Sequence, residues 1–448
     1  MKAFIYSSST IIEPLGDPAS QSRILNEPLE ASMTQLLTRL RLEPVRIAHP
    51  AEATGERYLL LPDNLYLTGA LLYEFLKAAA KESGTVALAL RESAFTRFST
   101  PLQDLRSEGE GDERIWIYPL VRVDRAGGGD GDPAKARPLV THARTWNLPV
   151  WKAQDVPGRP KQFLPVTFHQ AVLIESWYHI WVANVLAGPV WAARQIFRKR
   201  RAAWLLVKLL WSLVSYLPVQ LALAISGVPV TIGGASLLEH VGRHLVIRGK
   251  RCRVHPTAVV IASELGDDVE VGPYTIVALS VLGNGVAIDA CGEVRNSVVG
   301  DGTHLIHRPA FNAAICYPGC RISLVQASLL GRNASFGGEV RAYDLNLKGP
   351  VTIEHKGRVV PTGTSGLGTC VGHGAQLWGR ISLAPGRVIP NGVMVIEDPH
   401  VVLQRVPADV QPGVIHAIRK GVLTPVGSSR EGAADAAAPA APRTDERR

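Results

Sequence analysis

The strongest constraint on this chain is a short frame that returns at fixed spacing in its second half. Gly266-Asp-Asp-Val-Glu-Val271, Gly283-Asn-Gly-Val-Ala-Ile288, Gly300-Asp-Gly-Thr-His-Leu305, Gly331-Arg-Asn-Ala-Ser-Phe336 and Gly372-His-Gly-Ala-Gln-Leu377 share one pattern. Each reads glycine, two turn-formers, a small or β-branched residue, any residue, then mostly a large apolar one. Gly266, Gly283 and Gly300 stand seventeen residues apart, and Ser263-Glu-Leu265, Ser280-Val-Leu282, Ser297-Val-Val299 and Ser328-Leu-Leu330 precede four of the frames. A unit this short cannot bury its own apolar side chains, so successive units must stack as coils around a shared core.

The chain has 448 residues, enough for two or three domains, so the coils are one part of a larger molecule. Hydrophobic residues at 46% and charged residues at 19% exclude wholesale disorder, while Gly 42 and Pro 31 favour turns over long helical bundles. The net charge of +9 is modest, and the basic clusters flank apolar segments without a reader motif, so no nucleic-acid partner is expected. The five cysteines are odd in number, contain no CxxC pair and follow no secretory leader, which reads as reduced thiols in the cytoplasm. Cys316 and Cys320, four apart around Pro318-Gly319, lack the second Cys or His pair that zinc would need.

Before the coils, two other compositions follow one another. Ala3 to Tyr6, Pro44 to Ala48, Tyr58 to Leu61 and Thr85 to Leu90 suit buried parallel strands, and Leu29 to Leu40 and Gly69 to Lys81 suit the helices between them. This predicts an α/β domain over 1–165, interrupted at Gly109 to Asp112 and Gly127 to Asp132 by linker-like sequence. Ligands of such sheets bind at the carboxyl ends of strands, which here offer Ser7 to Thr10 and Pro62-Asp63-Asn64. Asp63 is the candidate for a metal or a ribose.

A Trp-rich apolar helical segment is expected over 166–250, with five of the nine Trp between Trp177 and Trp211. Leu209 to Leu238 carries no charged side chain, and Pro218, Gly227 and Pro229 break any single straight span. Basic flanks on both sides favour both ends in the cytoplasm, so 177–238 either contacts a membrane surface, as a re-entrant or interfacial pair, or covers an open end of the next domain. The tail over 427–448 is low-complexity and reads as disordered.

The six-residue sub-period of the repeats, three to a coil over 251–408, resembles the hexapeptide-repeat family of left-handed parallel β-helices. A βαβ-like start followed by such a β-helix also resembles the GlmU-like architecture, a sugar-nucleotide pyrophosphorylase domain fused to an acetyltransferase domain. The resemblance implies a degenerate nucleotidyltransferase-like α/β domain, a helical segment and a left-handed β-helix. It also implies acyl transfer from acyl-CoA or an acyl-carrier thioester to an amino or hydroxyl group of a sugar, nucleotide-sugar or cell-envelope precursor, in a homotrimer with the active site between subunits. One departure stands out. Pyrophosphorylases cradle the triphosphate with a Gly-rich loop and a basic residue, whereas Ser7 to Asp17 has a single Gly16 and no Lys or Arg. Magnesium at Asp63 is expected only if that domain is active.

Acyl transfer of this kind needs a histidine that takes the acceptor's proton and passes it on. His373 is the first candidate, set between glycines in Gly368-Thr-Cys-Val-Gly-His-Gly374, and His355 is the second. His304, His307 and His255 read as surface or structural residues. Tyr343 to Arg358 and Val360 to Leu367 break the period, and such excursions often carry function. Asp344, Asn346, Lys356 and Arg358 are therefore candidates for acceptor binding, and Arg380 and Arg387 for CoA phosphates. The competing readings are a non-catalytic β-helix scaffold and a working sugar-1-phosphate nucleotidyltransferase.

Overall fold

A computed structural model describes residues 1–125, 135–141, 144–149, 163–197, 242–243, 245–406, 410 and 414–426. The chain divides into a compact unit of Met1–Val395 and a second that begins at Ile396. Within the first, a mixed α/β region and a parallel β-helix-like region share one core.

The α/β region is built from β1 (Lys2–Tyr6), α1 (Leu29–Arg39), β2 (Glu43–Ile47), β3 (Arg57–Pro62), α2 (Gly69–Ala79), β4 (Val86–Arg91), α3 (Ala94–Ser99), β5 (Ile115–Asp124) and β6 (Arg137–Thr141). The strand order is β6-β4-β5-β3-β1-β2. β1 pairs in parallel with β2 and β3, and β4 with β6, but β5 runs against both β3 and β4. Strand alternation explains the two faces. Leu59 and Leu61 point into the main core while Tyr58 and Leu60 join Phe4, Ala87 and Val121 on the other side. α1 covers the main-core face with Leu29, Met33 and Leu37, four residues apart. Arg106–Glu108 pairs antiparallel with the start of β5, so Gly109 to Asp112 lies in a hairpin connection and the sheet continues past it. The expected break at Gly127 to Asp132 lies outside the described residues.

Beyond the sheet comes α4 (Trp177–Phe197). Trp177, Tyr178, Ile180 and Trp181 are buried in the protein core, so these four side chains do not themselves meet a headgroup layer. Among the described residues no helix is long and apolar enough to cross a membrane. Residues 198–241, with Leu209 to Leu238, and the tail 427–448 lie outside the described residues.

The coils run from Ile247–Arg248 to Met394–Ile396 as three columns of short parallel strands. Partners such as Val271↔Ile288 and Ile288↔Leu305 are offset by the seventeen-residue period. The doublets of the first column, Val281-Leu282, Val298-Val299, Ile315-Cys316 and Leu329-Leu330, are buried on both sides. Leu282, Val299, Cys316 and Leu330 point into the coil core, and Val281, Val298, Ile315 and Leu329 point outward into the core shared with the α/β region. In the second column only the inner residue is a large apolar one buried in the coil core, as in Glu270-Val271, Ala287-Ile288 and His304-Leu305. That outer face is open.

One corner of the coils turns through a residue of positive φ in successive coils, with Ala262, Leu279, Asn296 and Ala313 between +44° and +52°. α4 seats on this corner. Trp181 Nε1 donates to the Ala313 carbonyl at 2.7 Å, and a Cβ on Gly188 would meet Asn296 Oδ1 at 3.1 Å. Asn184 adds a second tie, its Oδ1 accepting from Leu25 N–H and its Nδ2 donating to the Arg23 carbonyl.

Candidate functional site

The glycine of each frame precedes a rung of hydrogen bonds that climbs the coils. Asp267 Oδ1 accepts from Lys250 N–H at 2.7 Å, Asn284 Oδ1 from Asp267 N–H at 2.8 Å, and Asp301 Oδ1 from Asn284 N–H at 2.7 Å. A Cβ on Gly283 would meet Asp301 Oδ1 at 2.3 Å, so glycine is what lets the acceptor lie against the turn below it. His373 occupies the same place. Its Nδ1 accepts from Arg332 N–H at 2.8 Å, and its own N–H donates to Asn391 Oδ1 at 2.7 Å.

The other ring nitrogen of His373 is engaged as well. Nε2 lies 3.0 Å from Asp17 Oδ2, and the Arg332 guanidinium grips both Asp17 oxygens at 2.8 and 2.9 Å. Burial and the Arg332 charge push the imidazole below its ordinary value, with Asp17 pulling it back. Burial raises the Asp17 carboxyl, but Arg332 and His373 outweigh it and hold the group below the usual carboxylate range. With Nε2–H donating to Asp17 and Nδ1 accepting from backbone, His373 keeps no lone pair for an acceptor's proton. The room that Gly372 leaves is filled by the rung, since a Cβ there would meet Asn391 at 2.5 Å.

The excursion between Arg341–Ala342 and Cys370–Val371 docks on α3 and α4. Val351, Ile353 and Leu367 enter the main core, Gly363 N–H donates to Tyr178 Oη, and Lys356 Nζ pairs with Glu175 at 3.3 Å. His355 lies on its hairpin, Nε2 buried without a hydrogen-bond partner among the described residues, and burial with the Lys356 charge lowers its pKa. Asn346 is spent inside the loop, donating to the Pro350 carbonyl and accepting from Lys348 N–H. Burial raises the Asp344 carboxyl. Arg358 is exposed opposite His355 on the hairpin, and Arg380 and Arg387 are exposed on later coil turns. None of these residues lines either of the two clefts described below.

The open second column forms a groove of about 540 Å³, walled by Arg253, His255, Glu270, Asp289 and His304 with Ala287 as its floor. The register puts Arg253, Glu270, Ala287 and His304 in one row, one coil apart. His304 Nε2 lies 3.0 Å from Asp289 Oδ1, and Asp289 Oδ2 accepts from His307 N–H. Among the described residues His304 Nδ1 has no partner. A carboxylate on the far nitrogen fixes the tautomer and leaves the near one free to take a proton. The sequence offered a clue to this pair: His304 takes the outward place in its frame, and Asp289 follows the inward Ile288 of the previous coil.

The second cleft, about 250 Å³, opens at the carboxyl ends of β1, β2 and β3 between Ser7, Ser20, Arg46 and Asp63. Asp63 Oδ1 accepts from Ser8 N–H at 2.9 Å, and Glu30, the other carboxylate of the cleft, is paired with Arg46. Asp63 thus offers little more than one oxygen, and the donor set does not fit a magnesium site. Among the described residues no group of three or more His, Cys, Asp and Glu could hold a metal.

No protein-family model matches the chain, and no curated protein does. Among solved structures it is similar to HddC from Yersinia pseudotuberculosis, determined in complex with GMP-PN, at 10% identity over 32% of this chain and 91% of that chain, with a TM-score of 0.23. So remote a likeness assigns nothing.

Proposed function

We propose that the chain is an acyltransferase whose chemistry belongs to the open face of the coils, with His304 as general base and Asp289 as the residue that orients it. The supporting observation is the His304–Asp289 pair at 3.0 Å on the wall of a groove, with no partner on the second ring nitrogen among the described residues. In this reading His304 Nδ1 accepts the proton of an acceptor amine or hydroxyl as that atom attacks the carbonyl carbon of a thioester. The tetrahedral intermediate then collapses, the C–S bond breaks, and the leaving thiolate takes the proton back from the imidazolium. The donor is acyl-CoA or an acyl-carrier thioester, and the acceptor is a sugar, nucleotide-sugar or envelope precursor. The coils are a hexapeptide-type left-handed β-helix that works as a homotrimer.

The α/β region is read as a nucleotidyltransferase-like domain without turnover, because the loop after β1 brings no lysine or arginine and Asp63 has no second free carboxylate beside it. His373 is read as a docking residue.

The test is thiol release from a panel of acyl-CoAs and amino- or hydroxy-sugars, for the full chain beside His304→Ala and Asp289→Asn. Release that disappears in His304→Ala while the fold is retained supports the assignment. Absence of both release and binding across the panel favours the scaffold reading. Magnesium-dependent pyrophosphate release abolished by Asp63→Ala would overturn the reading of the α/β region.

A further inference from the structure

The 250 Å³ cleft of the α/β region lies where ligands of such sheets bind, yet its chemistry is not that of a phosphate site. Its charged lining residues are Glu30, Arg46 and Asp63. Arg46 is paired with Glu30 Oε1, and Glu30 Oε2 accepts from Gln21 Nε2 at 3.1 Å, so the two charges cancel and both carboxylate oxygens are spent on protein partners. The charge left over is the carboxylate of Asp63. It is held in place: Oδ1 accepts from Ser8 N–H at 2.9 Å, and the Asp63 N–H donates to the Tyr6 carbonyl at 2.9 Å. Among the described residues Oδ2 has no partner. Ser20 lines the same cleft at 8% exposure, and among the described residues its hydroxyl has no hydrogen-bond partner either. Buried hydroxyls are rarely left unpaired in a folded chain. Met33, Ile47 and Leu61 add an apolar wall.

We propose that this cleft binds a small hydroxylated amine, of the size and chemistry of a single amino sugar, with Asp63 Oδ2 accepting from the ammonium and the Ser20 hydroxyl bonding a ring hydroxyl. The unbalanced carboxylate selects a cation and repels a phosphate, and a charge-assisted hydrogen bond to it is stronger than a neutral one. The Ser20 hydroxyl can either donate to or accept from a ligand hydroxyl, which suits a polyol. The volume falls short of the roughly 300–1,000 Å³ of pockets that enclose drug-sized ligands, which suits one ring rather than a nucleotide. The C–H face of such a ring packs against the apolar wall. This inference does not rest on acyl transfer, since it concerns a cleft other than the groove of His304.

Calorimetric titration of the full chain with glucosamine, beside glucose, glucose 1-phosphate and UTP, tests it at neutral pH and low salt. Glucosamine is expected to bind roughly tenfold or more tighter than glucose, the gain of a hydrogen bond to a charged group over a neutral one, and the two phosphate-bearing compounds no tighter than glucose. Asp63→Asn keeps an oxygen for Ser8 N–H but removes the charge, so it should bring glucosamine down to the level of glucose. Ser20→Ala should weaken both sugars. His304→Ala should leave this binding in place, which separates the cleft from the groove where an acceptor amine is proposed to react. The proposal is overturned by no binding of glucosamine, by equal affinities for glucosamine and glucose, by tighter binding of UTP or glucose 1-phosphate, or by glucosamine binding that is lost in His304→Ala and kept in Asp63→Asn. If Asp63→Asn does not fold, the amide resonances of Ser8 and Asp63 decide it. Their movement as glucosamine saturates the chain upholds the site, and saturation that leaves them unmoved sinks it.

Discussion

Gly331 and His373 meet across one coil step, and a Cβ on Gly331 would stand 2.5 Å from His373 Nδ1 and 2.7 Å from the His373 amide nitrogen. No rotamer change relieves a contact with backbone. Gly331→Ala is therefore expected to destabilise the chain by about 1–3 kcal/mol, the usual cost of overpacking, and to shift the His373 ring resonances. Urea unfolding checks the first effect and the imidazole spectrum the second. An unchanged denaturation midpoint would mean that the rung is not tight.

His304→Ala should lower the rate of thiol release by roughly 10²- to 10⁴-fold with little change in the KM for the donor, as removal of a general base does. Asp289→Asn should lower kcat by a smaller factor and alter the pH profile, because an amide no longer favours one tautomer. A loss confined to KM would place both residues in binding instead.

Ala287 is the small residue between Glu270 and His304 in the row that floors the groove. Ala287→Trp should fill the groove and abolish turnover while leaving Tm within a few degrees of the unmodified chain, since the outer face is exposed. Retained turnover would show that substrates do not use this groove.

Asn184 ties α4 to the Arg23–Leu25 segment through both atoms of its amide. Asn184→Leu leaves a half-buried N–H and a half-buried carbonyl without their amide partner and should cost about 1–3 kcal/mol in all. Chemical denaturation measures this. A loss below about half a kcal/mol would show that water replaces the amide.

Stability should fall with acid. His373 has its folded pKa below the ordinary 6.5, so the unfolded chain binds its proton more readily, and its contribution, full above 6.5, is lost as pH falls through the folded value. Asp17, held below the usual 3.8, contributes stability that is present above 3.8 and disappears at still lower pH. Urea midpoints between pH 7.5 and pH 3 should therefore decline, and His373→Asn should remove the upper part of the decline.

The stacked coils and the early α/β alternation were legible in the chain because both rest on periodicity, which local sequence carries. The strands over 3–6, 44–48, 58–61 and 85–90 and the helices at 29–40 and 69–81 occur within a residue or two of where apolar spacing puts them. β5 escaped because its direction depends on pairing with β3 and β4, which no local pattern encodes.

The candidate site was harder to read, and the reason lies in partners far apart in the chain. Nothing near His373 announces Asp17, 356 residues away, and the glycines that seem to open a pocket there make room for a hydrogen bond between coils. One clue was present in the sequence. Apolar doublets such as Val298-Val299 and Leu329-Leu330 need two cores, so that face had to be covered, whereas Glu270-Val271 and His304-Leu305 left theirs open.

By itself the sequence determined that coils would stack and which side chains would line their axis, because a seventeen-residue period with one inward apolar position per strand permits little else. Only the tertiary structure decided that His373 has both ring nitrogens engaged while His304, among the described residues, has one engaged by Asp289 and one open. A hydrogen bond depends on distance and direction between groups, and the coils bring together residues that spacing along the chain keeps apart.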